Sequence, residues 1–287
     1  MIMKKKSVSV LIATKNEGKN IARCLRSLKR QSYQKKYIEI ILIDNGSSDR
    51  TVEYAKKMVD KIYDISKYIK QNPILNFRGA QVNYGFEKSG GEIIFFPDAD
   101  MTFSETLLEE AVFKINQNKF DALYIPETIV GKGLLGKVRN FERSFYNQTS
   151  IDGLRIIKRD IFEKVGGFDI KKIQFGFDDW DLTKRIKSVT NKISITSSSI
   201  YHHEEKINLI TYLTKKSNYT GASNGYINKW GINDKDVKKQ FGIAYRYFYV
   251  FTENEKWKKL LRHPLMACYL YILKFLVGLG YLVNLKK

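Results

Sequence analysis

Short apolar runs alternate with helix-periodic segments through the first 125 residues, and the runs end in polar or acidic clusters. Residues 7–13 (SVSVLIA), 37–43 (YIEIILI), 61–65, 92–96 and 120–125 are strand-length and rich in β-branched and aromatic side chains. Between them Ile21, Leu25 and Leu28, then Val52, Ala55 and Val59, recur at helical spacing. Residues 76–88 and 106–116 also read as helices. Alternation at this interval predicts right-handed βαβ units and a parallel sheet. Parallel strands deliver their carboxyl ends to one edge, where open α/β sheets bind ligands. The ends that meet there are residues 14–17, 44–49 and 98–100.

The third of these ends is the most chemical. In EIIFFPDAD (92–100) a buried-strand pattern runs into Pro97, which cannot donate to a ladder and ends the strand. Asp98 and Asp100 follow, one residue apart. Two carboxylates this close repel unless a cation lies between them, and a hard divalent ion bound to phosphate oxygens fits. An Asp-rich turn before the next helix fits the same residues.

Beyond residue 126 the pattern changes. Residues 131–136 hold three glycines and read as a loop able to close as a lid. Residues 154–157 are strand-like. Residues 176–182 (GFDDWDL) open a helix, and residues 207–230 read as two helices broken around Gly221. Cys24 and Cys268 are the only cysteines, without CxxC spacing, which predicts a reducing, cytoplasmic setting and no disulfide framework. Residues 1–6 are too short and too quickly interrupted for a signal peptide, and residues 8–13 are strand-length, not an h-region.

Lys and Arg exceed Asp and Glu by 50 to 30, a net charge of +20 over 287 residues. That excess favours a polyanionic partner: nucleic acid, anionic lipid or a phosphorylated substrate. The aromatics fall at core spacings and no nucleic-acid-binding motif is present, which argues against nucleic acid. The tail is distinct. Residues 265–285 are almost wholly apolar around Lys274, with Lys256, Lys258, Lys259 and Arg262 before them and Lys286 and Lys287 after. Twenty-one residues can span a bilayer. A central Lys costs roughly 3 kcal/mol on insertion scales, and Gly278 and Gly280 weaken the helix, so peripheral contact with an anionic membrane is expected over a true span. A packing or dimer helix is the alternative.

Four segments in order carry a family resemblance: VLIATKNE (10–17), IDNGSSDRT (43–51), DAD (98–100) and DDWDL (178–182). Each is weak alone; their order and spacing are specific. Over about residues 7–205 the chain resembles a family-2 glycosyltransferase. The resemblance implies a GT-A fold, an α/β architecture whose Rossmann-like, mostly parallel central sheet is flanked by helices. It divides the chain into a catalytic domain, 1–205, with a nucleotide-sugar half (1–125) and an acceptor half (126–205), and a C-terminal helical extension, 206–287, whose tail (262–287) contacts membrane.

It also implies roles. Ala13, Thr14 and Glu17 would hold the base and ribose of a nucleotide-sugar donor, a UDP-sugar by preference. Asp44 would contact the base, with Asn45 and Gly46 beside it. Asp98, Ala99 and Asp100 would meet the diphosphate, with Asp100 binding Mn²⁺ or Mg²⁺ and Asp98 facing the ribose or the metal's water shell. The family's usual Arg–Asn pair is Val82–Asn83 here, so that donor contact is missing or moved to Arg78. Asp179, with Asp178 in place of the usual Glu, would be the general base of an inverting transfer to a hydroxyl of a glycan or lipid-linked saccharide. Asp178 and Asp179 alone could equally be an acidic helix N-terminus. His202 and His203 are candidate further metal ligands. A nucleotidyltransferase also uses paired acids with a metal, but needs a Gly- and Arg-rich loop where residues 14–17 stand. The implied location is the cytoplasmic face of the cell membrane.

Overall fold

A computed structural model describes residues 6–71, 77–116, 119–173, 176–205, 207–218 and 223–284. Gly221 lies outside them. The chain forms two compact units, Met1–Pro126 with Gly153–His202, and Glu127–Asp152 with His203–Lys287. By these contacts residues 127–152 fall in the second unit.

The first unit is α/β. Its strands are β1 (Val8–Thr14), β2 (Ile38–Asp44), β3 (Lys61–Asp64), β4 (Ile93–Phe95), β5 (Met101–Phe103) and β6 (Ala122–Tyr124). β7 (Glu127–Val130) belongs to the second unit. β8 (Ile156–Lys158), β9 (Ile193–Ile195) and β10 (Ile200–His203) follow. The main sheet has the order β3-β2-β1-β4-β8-β6-β9. β3, β2, β1 and β4 are parallel, β8 is antiparallel to both its neighbours, and β6 runs parallel to β9. The helices are α1 (Ile21–Lys29), α2 (Thr51–Ala55), α3 (Ser66–Gln71), α4 (Arg78–Glu87), α5 (Leu107–Asn116), α7 (Arg159–Lys164) and α8 (Asp178–Val189).

Two apolar layers sandwich the sheet because successive strand residues face opposite sides. Val10, Ile12 and Phe95 pack with Leu25 and Leu28 of α1 and Leu108 of α5. Leu11, Ile43 and Ile94 pack with Val82 of α4, Phe162 of α7 and Leu182 of α8. Each of these side chains, fully withdrawn from water, contributes roughly 1.5–3 kcal/mol. A separate antiparallel pairing joins β5 to β10, with Tyr201 opposite Thr102 and His202 opposite Met101.

The second unit is helical: α6 (Gly133–Arg143), α9 (Leu209–Asn218), α10 (Ser223–Trp230), α11 (Lys235–Phe241), a π-helical turn (Tyr245–Tyr249), α12 (Val250–Thr252), α13 (Trp257–Arg262) and α14 (Pro264–Asn284). Its core gathers Val138, Phe141, Phe145, Tyr212, Phe251, Leu270 and Leu273. The expected glycine-rich lid is α6 instead. A Cβ at Gly136 would lie 2.2 Å from the Gly131 carbonyl carbon, so these glycines permit a close backbone crossing rather than mobility.

Candidate active site

The first two strand ends form one hydrogen-bonded edge. Thr14 donates its hydroxyl to Asp44 Oδ1 at 2.9 Å, and the Asn45 N–H reaches the Thr14 carbonyl. Asp44 is buried and also accepts from the Ser47 N–H at 2.8 Å and hydroxyl at 2.6 Å. Gly46 turns the chain at φ +63°, where a Cβ would lie 2.8 Å from Ser66 Cβ. Asn16 binds the second loop to the first through Ser47 and Ser48. Gln81, on α4, donates to the carbonyls of Thr14 at 3.0 Å and Ile43 at 2.7 Å, tying both strand ends together. Glu17 accepts from Asn20, and burial, with Asp100 and Asp98 close by, raises its pKa above the ordinary carboxylate value.

Asp98 bridges to Ala13 at the end of β4, and Ala99 is buried in the turn that starts β5. β10 sets His202 opposite Met101, and its Nε2 reaches back to Asp100 in the preceding turn, 3.1 Å from Oδ2. Asp100 Oδ1 is buried without a hydrogen-bond partner. A buried, unpaired carboxylate oxygen is costly unless a ligand completes it. Beside an imidazole, this oxygen suits a hard divalent cation. Among the described residues no group of three metal-ligating side chains forms. Asp100 and His202 would therefore hold such an ion together with phosphate oxygens and water, and the imidazole favours Mn²⁺ over the all-oxygen shell typical of Mg²⁺. His203 is engaged elsewhere, with Nδ1 3.0 Å from Glu205.

Asp98 meets arginines instead. Arg78 Nε is 2.5 Å from Asp98 Oδ1, and Arg155 Nη1 is 3.3 Å from Oδ2. The same guanidiniums flank Asp179: Arg78 Nη1 is 3.0 Å from Oδ1 and Arg155 Nη2 is 3.8 Å from Oδ2. Arg78 also donates to the Phe96 carbonyl at 2.9 Å and lies against the Phe96 and Phe168 rings. Asp178 and Asp179 occupy the first turn of α8, where the helix dipole favours carboxylates. Asp178 is 3.8 Å from Arg78. Burial, then repulsion from Asp179, lifts the Asp178 carboxyl to about 6 against the pull of Arg78. Asp181 is buried and paired with Arg185 at 2.8 Å, a structural bond within α8.

Glu17, Arg78, Asp98, Asp100, Asp178, Asp179 and His202 thus belong to one linked set, with the Thr14–Asp44 edge beside Ala13. His203 does not join it. Two contributors escaped the sequence reading. Gln81 had only its place in α4 as a signal. Arg155 had none, because it becomes a neighbour of Asp98 only when antiparallel β8 lies beside β4, with Ile156 opposite Phe95.

Polar strand ends along one sheet edge, an acid–imidazole pair and an acidic head of α8 on this α/β fold are the arrangement of a glycosyltransferase of the GT-A type. Residues 9–168 match the glycosyl transferase family 2 model, and the chain belongs to that family. Residues 133–207 also match the model described as the N-terminal domain of galactosyltransferase. The glycosyltransferase AglE of Haloferax volcanii is 26% identical over 246 residues, 83% of this chain and 78% of its own length. Several other curated relatives are spanned over less than two thirds of their length. Among solved structures, the mannosyltransferase PcManGT of Pyrobaculum calidifontis with GDP-Man and Mn²⁺ superposes with a TM-score of 0.62 at 15% identity, over 98% of this chain and 88% of that one. Staphylococcus aureus TarS 1-349 with UDP-GlcNAc gives 0.53 at 16% identity, over 96% and 89%. At these identities the structural likeness shows the fold.

Proposed function

We propose that this glycosyltransferase catalyses metal-dependent, inverting transfer from a UDP-sugar to a hydroxyl of a glycan or lipid-linked saccharide. The observation that carries the proposal is the unpaired, buried Asp100 Oδ1 beside His202, in the unit where Asp98 and Asp179 share two arginines. Neighbours of the same fold solved with GDP-Man and Mn²⁺ and with UDP-GlcNAc support it.

The Thr14–Asp44 edge would seat the base and ribose, directing the diphosphate toward Asp98 and Asp100. A divalent ion, Mn²⁺ or Mg²⁺, held by Asp100 and His202 would neutralise charge on the departing nucleoside diphosphate. Arg78 and Arg155 would turn from the carboxylates toward phosphate oxygens, which compete for the same guanidinium donors. That exchange frees Asp179. An acceptor hydroxyl then attacks the anomeric carbon, the bond from that carbon to the phosphate oxygen breaks, and the hydroxyl proton passes to the Asp179 carboxylate. One displacement inverts the centre and needs no protein nucleophile. Asp178, partly protonated near pH 6, limits repulsion beside Asp179.

The same reading places the chain at the cytoplasmic face of the cell membrane, in peripheral contact with anionic lipid, with no nucleic acid among its partners. A nucleotide-sugar panel tested by thermal unfolding with Mn²⁺ checks the donor. A UDP-sugar at about 100 times its Kd adds about 2.7 kcal/mol and raises Tm. Stabilisation by no nucleotide sugar overturns the reading.

A further inference from the structure

Helix α14 is polarised in the opposite sense to a helix that borders water. Its only charged residue, Lys274, faces the protein interior at 5% exposure. Lys274 Nζ is 2.7 Å from Glu142 Oε1 and 2.8 Å from the Tyr146 hydroxyl, between the buried Leu270 and Leu273. At about 100° per residue, the opposite face carries Leu265, Tyr269, Ile272, Phe275 and Leu279. All five are exposed, Leu265 by 74% and Phe275 by 64%. An amphipathic helix in water has the reverse arrangement. The expected penalty for a charge in the tail therefore does not fall on the outer face: the ammonium is spent inside the unit and the exposed stripe is free of charge.

The chain around this stripe supplies the partner's chemistry. Leu261 and Trp257 of α13 are exposed as well. Residues 256–287 contain seven Lys or Arg and no Asp or Glu. Lys258 and Arg262 are exposed on α13, and Lys286 and Lys287 lie in the sequence beyond the described residues. A second copy of the same face would bring the same positive charge, whereas an anionic lipid surface complements both the apolar stripe and its basic flanks. Among the described residues no helix is long and apolar enough to cross a membrane.

We propose that the outer face of α14 docks this protein on an anionic lipid surface. The helix lies in the interfacial plane, its apolar stripe enters the acyl boundary, and Lys258 and Arg262 reach the headgroups. The inference relies on the membrane placement proposed above for its partner, but names the surface from the helix alone.

Vesicle flotation of the full chain tests it, with phosphatidylcholine alone and with an equal share of phosphatidylglycerol. The wild-type protein should float with the anionic vesicles and poorly with the neutral ones. Ile272→Glu/Phe275→Glu, on exposed positions, should lower anionic binding by roughly a hundredfold, the loss of two buried apolar side chains. Phe113→Glu, an exposed apolar position of the first unit, should float like wild type. A wild-type chain that stays down, or a double variant that floats unchanged, overturns the proposal. So does a dimeric mass in solution that the double variant reduces to one chain. Stabilisation by a UDP-sugar is read separately, so absence of flotation with that stabilisation intact removes the docking surface and leaves the transferase reading standing.

Discussion

Each unit contains a cluster of charged side chains, and the two are built to opposite ends. In the second unit Arg139 meets Glu142 at 2.5 Å and Glu204 at 3.3 Å, while Lys274 meets Glu142 at 2.7 Å. These four side chains are at most 10% exposed, and the Tyr146 and Tyr212 hydroxyls also reach Glu142. Each of these four charges has a partner, and the four are sealed from water. In the first unit Arg78 and Arg155 face Asp98, Asp178 and Asp179, with Asp100 and Glu17 nearby. Acids outnumber bases, several groups are partly open, and one Asp100 oxygen has no partner. A balanced buried cluster holds helices in register. An unbalanced one with an orphaned acceptor suits a ligand, and the function proposed above supplies one in a divalent ion with a diphosphate.

The contrast can be broken by substitution. The largest effect belongs to the open cluster: Asp179→Asn should lower kcat by about 10²–10⁴-fold, the range for loss of a general base, and leave UDP affinity nearly intact. Full turnover by that variant would remove Asp179 from the role. In the sealed cluster Glu142→Gln leaves Lys274 and one side of Arg139 unpaired. It should cost about 3–5 kcal/mol of stability, read as a lower midpoint in urea. A midpoint within error of wild type would show that the pairs are not needed to hold α6 and α14.

Smaller effects sharpen the comparison. Arg155→Gln should weaken UDP binding about tenfold while UMP binding barely changes, if the lost charged donor serves the second phosphate as proposed. Equal losses for both ligands would reduce Arg155 to a packing role. Asp178 gives its signal in the pH dependence of stability. Its folded carboxyl, at about 6, stands above the 3.8 of an ordinary aspartate, so the folded state binds more protons between those values. Stability should fall as pH rises through that window, by at most about 3 kcal/mol, and Asp178→Asn should flatten the slope. A slope unchanged in the variant would assign it to other acids.

Local signals made much of this readable in the chain. Strand-length apolar runs ending at Thr14, Asp44 and Asp98 disclose the parallel sheet and its ligand edge, because period-two burial and a terminating Pro are written within a few residues. What escaped depends on long-range pairing. Arg155 reaches Asp98 through an antiparallel strand inserted among parallel ones. His202 rather than His203 reaches Asp100, because β10 lies beside β5 and the turn before it while His203 turns to Glu205, and the sequence shows neither. Lys274 read as a defect in an apolar tail, and its partner Glu142 lies 132 positions earlier, so neither local period nor composition could show that the charge points inward. The glycines at 131–136 signal both looseness and close packing, and only the crossing of their backbones distinguishes the two.

The central claim is that the open cluster is completed by a divalent ion and a nucleoside diphosphate together. Calorimetric titration of UDP into the metal-free protein, then into the protein with Mn²⁺, tests it most directly. Binding should appear or strengthen sharply with Mn²⁺, and Asp100→Ala should abolish that gain while keeping the folded midpoint. UDP binding of equal strength with and without Mn²⁺, or a metal-dependent gain that survives Asp100→Ala, would contradict the account.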